Sequence, residues 1–236
     1  MSHEAKIHEA QTKILRELLF LPGANFARLV EVTGLEGDHA KFHIKRLVEL
    51  KYLSKRENVY SLSVQGKEYA NKLDTDTNTI ERQPKSTCIF TLKDVKTGKY
   101  LVQQRLKNPY YGFVACYSGK IRWGESIYET AVRETMEETG LTTLAKDWKH
   151  RGIYHEIIRH KSTGEIVEDK IFHMMYCERF SGELVEVFEG GRNFWADFEE
   201  VRANPKHYGS LEVEMRAATR NIGFVERMDE YGDEEF

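Results

Sequence analysis

Glu134, Glu137 and Glu138 stand at i, i+3 and i+4 in the run Arg133-Glu134-Thr135-Met136-Glu137-Glu138-Thr139-Gly140-Leu141. On an α-helix that spacing puts all three carboxylates on one face, one turn apart. Like charges held so close repel and weaken the helix. The cost is offset if a hard divalent cation sits among them, because Mg²⁺ and Mn²⁺ prefer oxygen donors. Such an ion also binds phosphate oxygens. The residue types and spacing therefore point to metal-dependent chemistry on a phosphate compound.

A fixed frame surrounds the cluster. Gly119 precedes Glu125 by six positions, and Arg133 follows eight later. The 23-residue stretch from Gly119 to Leu141 resembles the Nudix box, the signature of hydrolases acting on nucleoside diphosphates linked to another moiety. Every polar and glycine position of that pattern is present. Thr135 stands where the family usually has an aliphatic residue, and Tyr117-Ser118-Gly119 replaces the usual Pro-Gly-Gly entry. The resemblance implies Mg²⁺ or Mn²⁺ held by Glu134, Glu137, Glu138 and the Gly119 carbonyl. It implies an ion pair between Glu125 and Arg133 that fixes the loop to the helix. Glu129, one turn before Arg133, reads as a further ion-pair partner.

A carboxylate must also take the proton of the attacking water. Nucleotide-sanitising members of the family carry an acidic-glycine loop before a tryptophan strand. Phe188-Glu189-Gly190-Gly191, six residues before Trp195, is similar, and it marks Glu189 as base or extra ligand. Arg105 ends a strand and is a candidate phosphate contact. Tyr110, Tyr111, Phe113 and Trp123 flank the box as packing or stacking residues. The motifs of ADP-ribose, NADH and coenzyme A pyrophosphatases are absent, so the substrate stays open within nucleoside diphosphate-linked small molecules.

The elements that must position these residues can be read outward from the box. The box helix is expected from about Ser126 to Glu138. Thr87 to Leu92, Tyr100 to Gln104 and Phe113 to Tyr117 read as strands. His150 to Arg159 and Ile166 to Glu178 read as a long hairpin, with His155, His160 and His173 as sheet residues. Asn193 to Ala196 is a short strand. Asp197 caps a small helix, and Leu211 to Arg227 reads as a final one. Asp229 to Phe236 is an acidic tail expected to be disordered. The fold class is α/β: the α/β/α sandwich with a mixed sheet that the resemblance implies.

The first eighty residues differ. Ile14, Leu15, Leu18, Leu19 and Leu21 stripe a first helix that Pro22-Gly23 ends. A short helix spans Phe26 to Val32, and Asp38 caps a third carrying Ala40, Ile44, Leu47 and Val48. Two short extended runs follow, near Tyr52 to Lys55 and Val59 to Ser63, and Ser63 opens a last helix. This order resembles a winged helix-turn-helix. Lys41, Lys45, Arg46, Lys51, Lys55 and Arg56 stand against Glu49 alone over residues 41–56, a local net charge of +5. Lys41, Lys45, Arg46, Lys55 and Arg56 are the candidate contacts to duplex DNA. A protein-contact or homodimerisation role for the same module stays open. The expected organisation is a winged helix-turn-helix domain at 1–78, a linker at 79–85 and a Nudix domain at 86–236.

Composition sets the bounds. The 236 residues are 40% hydrophobic and 31% charged, with a net charge of −3 that gives no global case for nucleic acid. No apolar run approaches the length that spans a bilayer, and Met1 to Lys13 lacks the apolar core of a signal peptide. Cys88, Cys116 and Cys177 are too far apart for a zinc spacing and read as reduced thiols of a cytoplasmic protein. Two readings follow: a metal-dependent hydrolase of nucleoside diphosphate derivatives, and a transcription regulator whose C-terminal domain senses a nucleotide metabolite.

Overall fold

The computed structural model describes residues 7–73 and 82–233. The chain divides into two compact units, residues 1–82 and 83–236. Of the linker expected at 79–85, residues 79–81 lie outside the described residues, and Lys85 already begins a strand.

The first unit holds α1 (Glu9–Phe20), β1 (Ala24–Asn25), α2 (Phe26–Thr33), α3 (Gly37–Glu49), β2 (Leu53–Arg56), β3 (Val59–Leu62) and α4 (Val64–Ala70). Asn25 caps α2 through its side chain, and Ser63 does the same for α4. Asp38 does not cap α3. The helix starts two residues earlier than such a cap requires, at Gly37 behind Glu36, which makes no side-chain cap, and Asp38 falls in the first turn. There its charge still favours the helix N-terminus. Ile14, Leu15, Leu29, Ile44 and Leu47 are fully or almost fully buried and close the core against the three-stranded sheet β1-β3-β2.

The second unit holds β4 (Lys85–Leu92), β5 (Tyr100–Arg105), β6 (Val114–Ala115), β7 (Tyr117–Lys120), α5 (Ile127–Thr139), a 3₁₀ turn (Ala145–Asp147), β8 (Lys149–His160), β9 (Ile166–Cys177), β10 (Val187–Phe188), β11 (Gly191–Ala196), α6 (Phe198–Ala203), α7 (Leu211–Thr219) and β12 (Gly223–Tyr231). A mixed five-stranded sheet runs β12-β8-β9-β4-β7, with β12 parallel to β8 and β9 parallel to β4. A second, antiparallel sheet runs β10-β11-β5-β6.

Period-two alternation sends the side chains of the large sheet to two cores. Cys88, Phe90 and Leu92 join Ala131 of α5 and Trp148, whereas Ile89 and Met174 join Leu211, Val213 and Ala217 of α7. Each large apolar side chain buried this way contributes about 1.5–3 kcal/mol. All three cysteines are buried and unpaired.

Three expectations need correction. The final helix stops at Thr219. Gly223 turns the chain with φ 66, and Phe224 to Tyr231, read as helix or tail, form the edge strand β12. Val225 packs into the core while Phe224 and Glu226 are exposed, the alternation of a strand. Asp229, Glu230 and Tyr231 therefore belong to a sheet, and Tyr231 is buried. Residues 234–236 lie outside the described residues. Finally, Phe113 to Tyr117 is not one strand. It breaks at Cys116 into β6 and β7, which belong to different sheets.

Candidate active site

Helix α5 begins with a reciprocal capping box. Glu129 N–H donates to Ser126 Oγ at 3.2 Å, and the Glu129 carboxylate accepts from Ser126 N–H at 2.8 Å. Glu129 is thus engaged at the helix N-terminus and not with Arg133. Gly140, at φ 72, ends the helix in the left-handed conformation that glycine tolerates. Between these stops Glu134, Glu137 and Glu138 fall on consecutive turns. Gly119, on β7, packs directly under Glu134. A Cβ there would sit 2.2 Å from Glu134 Cδ, so a larger residue would push the Glu134 carboxylate out of this position.

Arg133 organises the cluster. Its Nε and Nη2 donate to the two oxygens of Glu125 at 2.7 Å each, a bidentate pair. Its Nη1 donates to Glu134 at 2.6 Å and to Glu137 at 3.1 Å, and Nη2 also reaches the Lys120 carbonyl at 3.0 Å. The Arg133 guanidinium holds the Glu125 carboxyl down to about 2, and the facing carboxylates push the arginine up. One cation therefore offsets the repulsion among the acids and ties the loop to the helix. Arg122 adds a second, exposed contact to Glu137 at 3.1 Å.

Glu138 has different partners. Gln103 Nε2 donates to it at 3.0 Å and to Asn193 Oδ1 at 3.3 Å. Asn193, which faces Gln103 across β5 and β11, donates to the Glu138 backbone carbonyl at 2.7 Å. Burial pushes the Glu138 carboxyl above its ordinary range. Among the described residues, no three metal-binding side chains already converge as a cage. The donor set still fits a hard divalent cation: three carboxylates on one helix face, one of them desolvated, beside the backbone of an unobstructed glycine.

A cavity of about 670 Å³ opens beside Glu134, Glu138 and Gly119. Arg105, Lys107, Lys120 and Arg122 give it a basic lining near the acids. It continues over the large sheet past Thr87, Ile89 and Phe172 to Glu156, Glu168 and Lys170, beneath Tyr110, Tyr208 and Glu214. In the order β7-β4-β9-β8, Glu156 lies three strands from Gly119, roughly 14 Å at ordinary strand spacing. This is a volume typical of small-molecule sites.

The structure thus brings together Gly119, Glu125, Arg133, Glu134, Glu137 and Glu138, and places Arg105 in the same cavity. Arg105 is partly engaged, donating from Nε to the Pro109 carbonyl at 2.5 Å. Glu189 is not brought in. It sits exposed in the turn between β10 and β11 and does not line the cavity. Tyr110 and Phe113 are packed in an aromatic cluster with Tyr208 and Tyr231, whereas Trp123 is 93% exposed. His155 bridges Asp169 and Glu226 at 2.8 Å each. In the first unit Lys41, Lys45, Arg46, Lys55 and Arg56 are exposed. Lys45 and Arg46 pair with Glu49, and Lys55 lies over the Tyr60 ring at 5.3 Å.

Sequence reasoning missed Gln103, Asn193 and the acids of the far end. A signal was present for Glu156. Tyr154, Glu156 and Ile158 alternate onto one strand face, and an acid between two core residues is out of pattern.

The NUDIX domain family model matches residues 82–214, more than half of the chain. The uncharacterized Nudix hydrolase YvcI of Bacillus subtilis is 28% identical over 108 residues, covering 46% of this chain and 66% of that protein. The match therefore spans just under two thirds of the relative's length. A MutT protein from Bacillus halodurans superposes with a TM-score of 0.51 at 24% identity, over 64% of this chain and 93% of the other, a likeness of fold. The NUDIX domain of Shewanella oneidensis NrtR, solved with ADP ribose, gives a TM-score of 0.49 at 15% identity, over 64% of this chain and 94% of that one.

Proposed function

Because the chain belongs to the Nudix family, we propose that it is a Mg²⁺- or Mn²⁺-dependent hydrolase that cleaves a phosphoanhydride of a nucleoside diphosphate derivative. The observation that carries this reading is the meeting of Glu134, Glu138 and Gly119 with Arg105, Lys107, Lys120 and Arg122 around one cavity. The acids suit a cation and the bases suit phosphate oxygens. Glu134, Glu137, Glu138 and the Gly119 carbonyl would hold the metal. When bound, it supplies charge stabilisation at the phosphate and lowers the pKa of a water.

The remaining work falls to this chain's own side chains. Arg133 keeps Glu125, Glu134 and Glu137 in place before any ligand arrives. Gln103 and Asn193 orient Glu138. Arg105 and Lys107 meet the phosphates. Glu189, the base suggested by the family resemblance, lies outside the cavity lining and would act only if the loop between β10 and β11 carried it to the substrate. Glu138 is the alternative, and it already lines the cavity with a proton affinity raised by burial. A screen over nucleoside diphosphate derivatives with Mg²⁺ or Mn²⁺, with added phosphatase to free phosphate from the monophosphate products, tests the activity. Release from no nucleoside diphosphate derivative would refute it.

A second reading concerns the first unit, whose exposed α3 and β2 cations favour a winged helix-turn-helix contacting duplex DNA. On this reading Lys41, Lys45 and Arg46 approach the major groove, and Lys55 and Arg56 a flanking phosphate. The hydrolase domain would then also serve as the sensor of a transcription regulator. DNA affinity should fall with salt at a slope of about −0.9 per phosphate neutralised. The pair Lys45→Ala with Arg46→Ala should lower it without changing hydrolysis. A salt-insensitive or absent affinity, with and without nucleotide, removes this reading and leaves a protein-contact or dimerisation module.

A further inference from the structure

We infer that the end of the cavity remote from the box holds a nucleobase bearing an exocyclic amine, with Glu156 as the acceptor of the amine N–H. This rests on reading the cavity as a nucleotide site and adds what that site selects.

Three acids line the remote end, and two are already satisfied. Glu214 accepts from the Cys116 N–H at 3.0 Å and from Ser210 Oγ at 2.7 Å. Glu168 pairs with Lys170 and takes the Tyr110 hydroxyl at 3.2 Å. Glu156 differs. It is 5% exposed, and its one hydrogen bond among the described residues comes from the Tyr154 hydroxyl at 3.2 Å. A carboxyl group has room for several more donors. A second polar group on the cavity floor is also unsatisfied. Thr87 Oγ1 is buried and has no partner among the described residues. Buried polar atoms without partners are rare in folded proteins and mark places where a ligand or water completes the bonding.

The chemistry narrows the occupant. At this end Lys85 and Lys170 do no more than balance Glu156 and Glu168, so phosphate is better served by Arg105, Lys107, Lys120 and Arg122 near the box. Uracil would turn carbonyl oxygens, which are acceptors, towards carboxyl oxygens that are also acceptors. An exocyclic amine offers N–H donors to an acid that lacks them. Burial pushes the Glu156 carboxyl up to about 7, so the preference for a donor is sharpest above that pH, since a protonated carboxyl would also donate to a uracil carbonyl. An ionised carboxylate accepts through both oxygens, and a protonated one still accepts through its carbonyl oxygen. Ile89 and Phe172 on the floor provide an apolar surface for a base face.

The test is binding of ADP, GDP, IDP, CDP and UDP to the full chain by calorimetry in Mg²⁺ buffer. ADP or GDP should bind roughly tenfold to a hundredfold more tightly than IDP, or CDP than UDP, the range for one hydrogen bond to a charged group. Glu156→Met removes the acceptor and should bring that ratio close to one. The wild-type comparison stands even if this variant does not fold. Ratios within about twofold in every pair, or no binding of any of the five, would overturn the inference. Product release from nucleotides with no base preference sinks this inference alone. No release from any nucleotide, with an aminated base still preferred in binding, sinks the hydrolase reading alone.

Discussion

Glu125 and Glu156 are the same residue type in one domain, and the fold drives them in opposite directions. Glu125 meets a bidentate guanidinium and is held down to about 2. Glu156 meets one tyrosine hydroxyl on a buried strand face and is pushed up to about 7. At Glu156 burial is the main cause, opposed only in part by the charge of Lys170, whereas at the shallower Glu125 the bidentate arginine is the main cause. The box end of the cavity is a compensated charge cluster prepared for a cation. The far end keeps an acid that lacks donors.

The largest effect is expected at the box. Glu137→Gln or Glu138→Gln should lower turnover on the order of 10²-fold or more with the fold intact, because each removes a charge from the group that stabilises developing phosphate charge. Turnover at saturating Mg²⁺ and a melting curve check this together. Near-normal rates in either variant would remove it from the metal site.

The next effect belongs to the far end and depends on pH. The folded pKa of Glu156, about 7, lies above the ordinary 4.5. The folded chain therefore holds more protons than the unfolded one across that window and loses stability as pH rises through it. Glu156→Gln removes this loss. The variant should match wild type near pH 4.5 and exceed it by up to about 3 kcal/mol at pH 8, measured by urea unfolding. Glu125 has the opposite sign. Its contribution is fully present above about 4.5 and is lost as pH falls through about 2, so Glu125→Gln should cost stability at pH 7 and much less at pH 2. A Glu156→Gln advantage that does not grow with pH would erase the contrast between the two acids.

Arg133→Ala tests the compensation itself. It leaves Glu125 and Glu134, both mostly buried, without their cation, at a cost of roughly 1–3 kcal/mol. The melting temperature in metal-free buffer should fall, and added Mg²⁺ should restore part of it if the cation takes over the neutralising role. An unchanged melting temperature would mean that the ion pairs at Arg133 contribute nothing to stability.

The two ends also differ in how far the sequence disclosed them. Gly119, Glu125, Arg133 and the three glutamates lie within 23 residues, so helix periodicity alone put the acids on one face. Glu156, Lys170 and Thr87 come from three strands, and only the register of β8, β9 and β4 brings them together. That register depends on long-range pairing, which a local reading does not contain. The same limit explains β12. Its residues had a helix-compatible pattern, and the competing strand pairing to β8 was invisible from within the segment. The hairpin of β8 and β9, by contrast, was marked by its turn residues and its length. Gln103 and Asn193 gave no signal at all, because a polar residue on a strand is ordinary until its partner is known.

The smallest expected effect lies at the two departures from the family pattern. Tyr117 occupies the usual proline position of the box entry and Thr135 the usual aliphatic one. The structure joins them: the Tyr117 hydroxyl and Thr135 Oγ1 are 2.8 Å apart, both fully buried between β7 and α5. Thr135 also donates to the Ala131 carbonyl at 2.6 Å, which leaves the tyrosine hydroxyl as the donor in the shared bond. Thr135→Val restores the family's residue type yet strands a buried hydroxyl, so it should cost about 1–3 kcal/mol. Tyr117→Phe removes the donor and leaves Thr135 bonded to the helix, so about 1 kcal/mol is expected. The double variant replaces both polar partners by apolar groups of similar shape and should be more stable than Thr135→Val alone. Losses that simply add in the double variant would show that the two side chains are not energetically coupled. A recovery would show that the strand under the box and the helix above it are coupled through this buried pair.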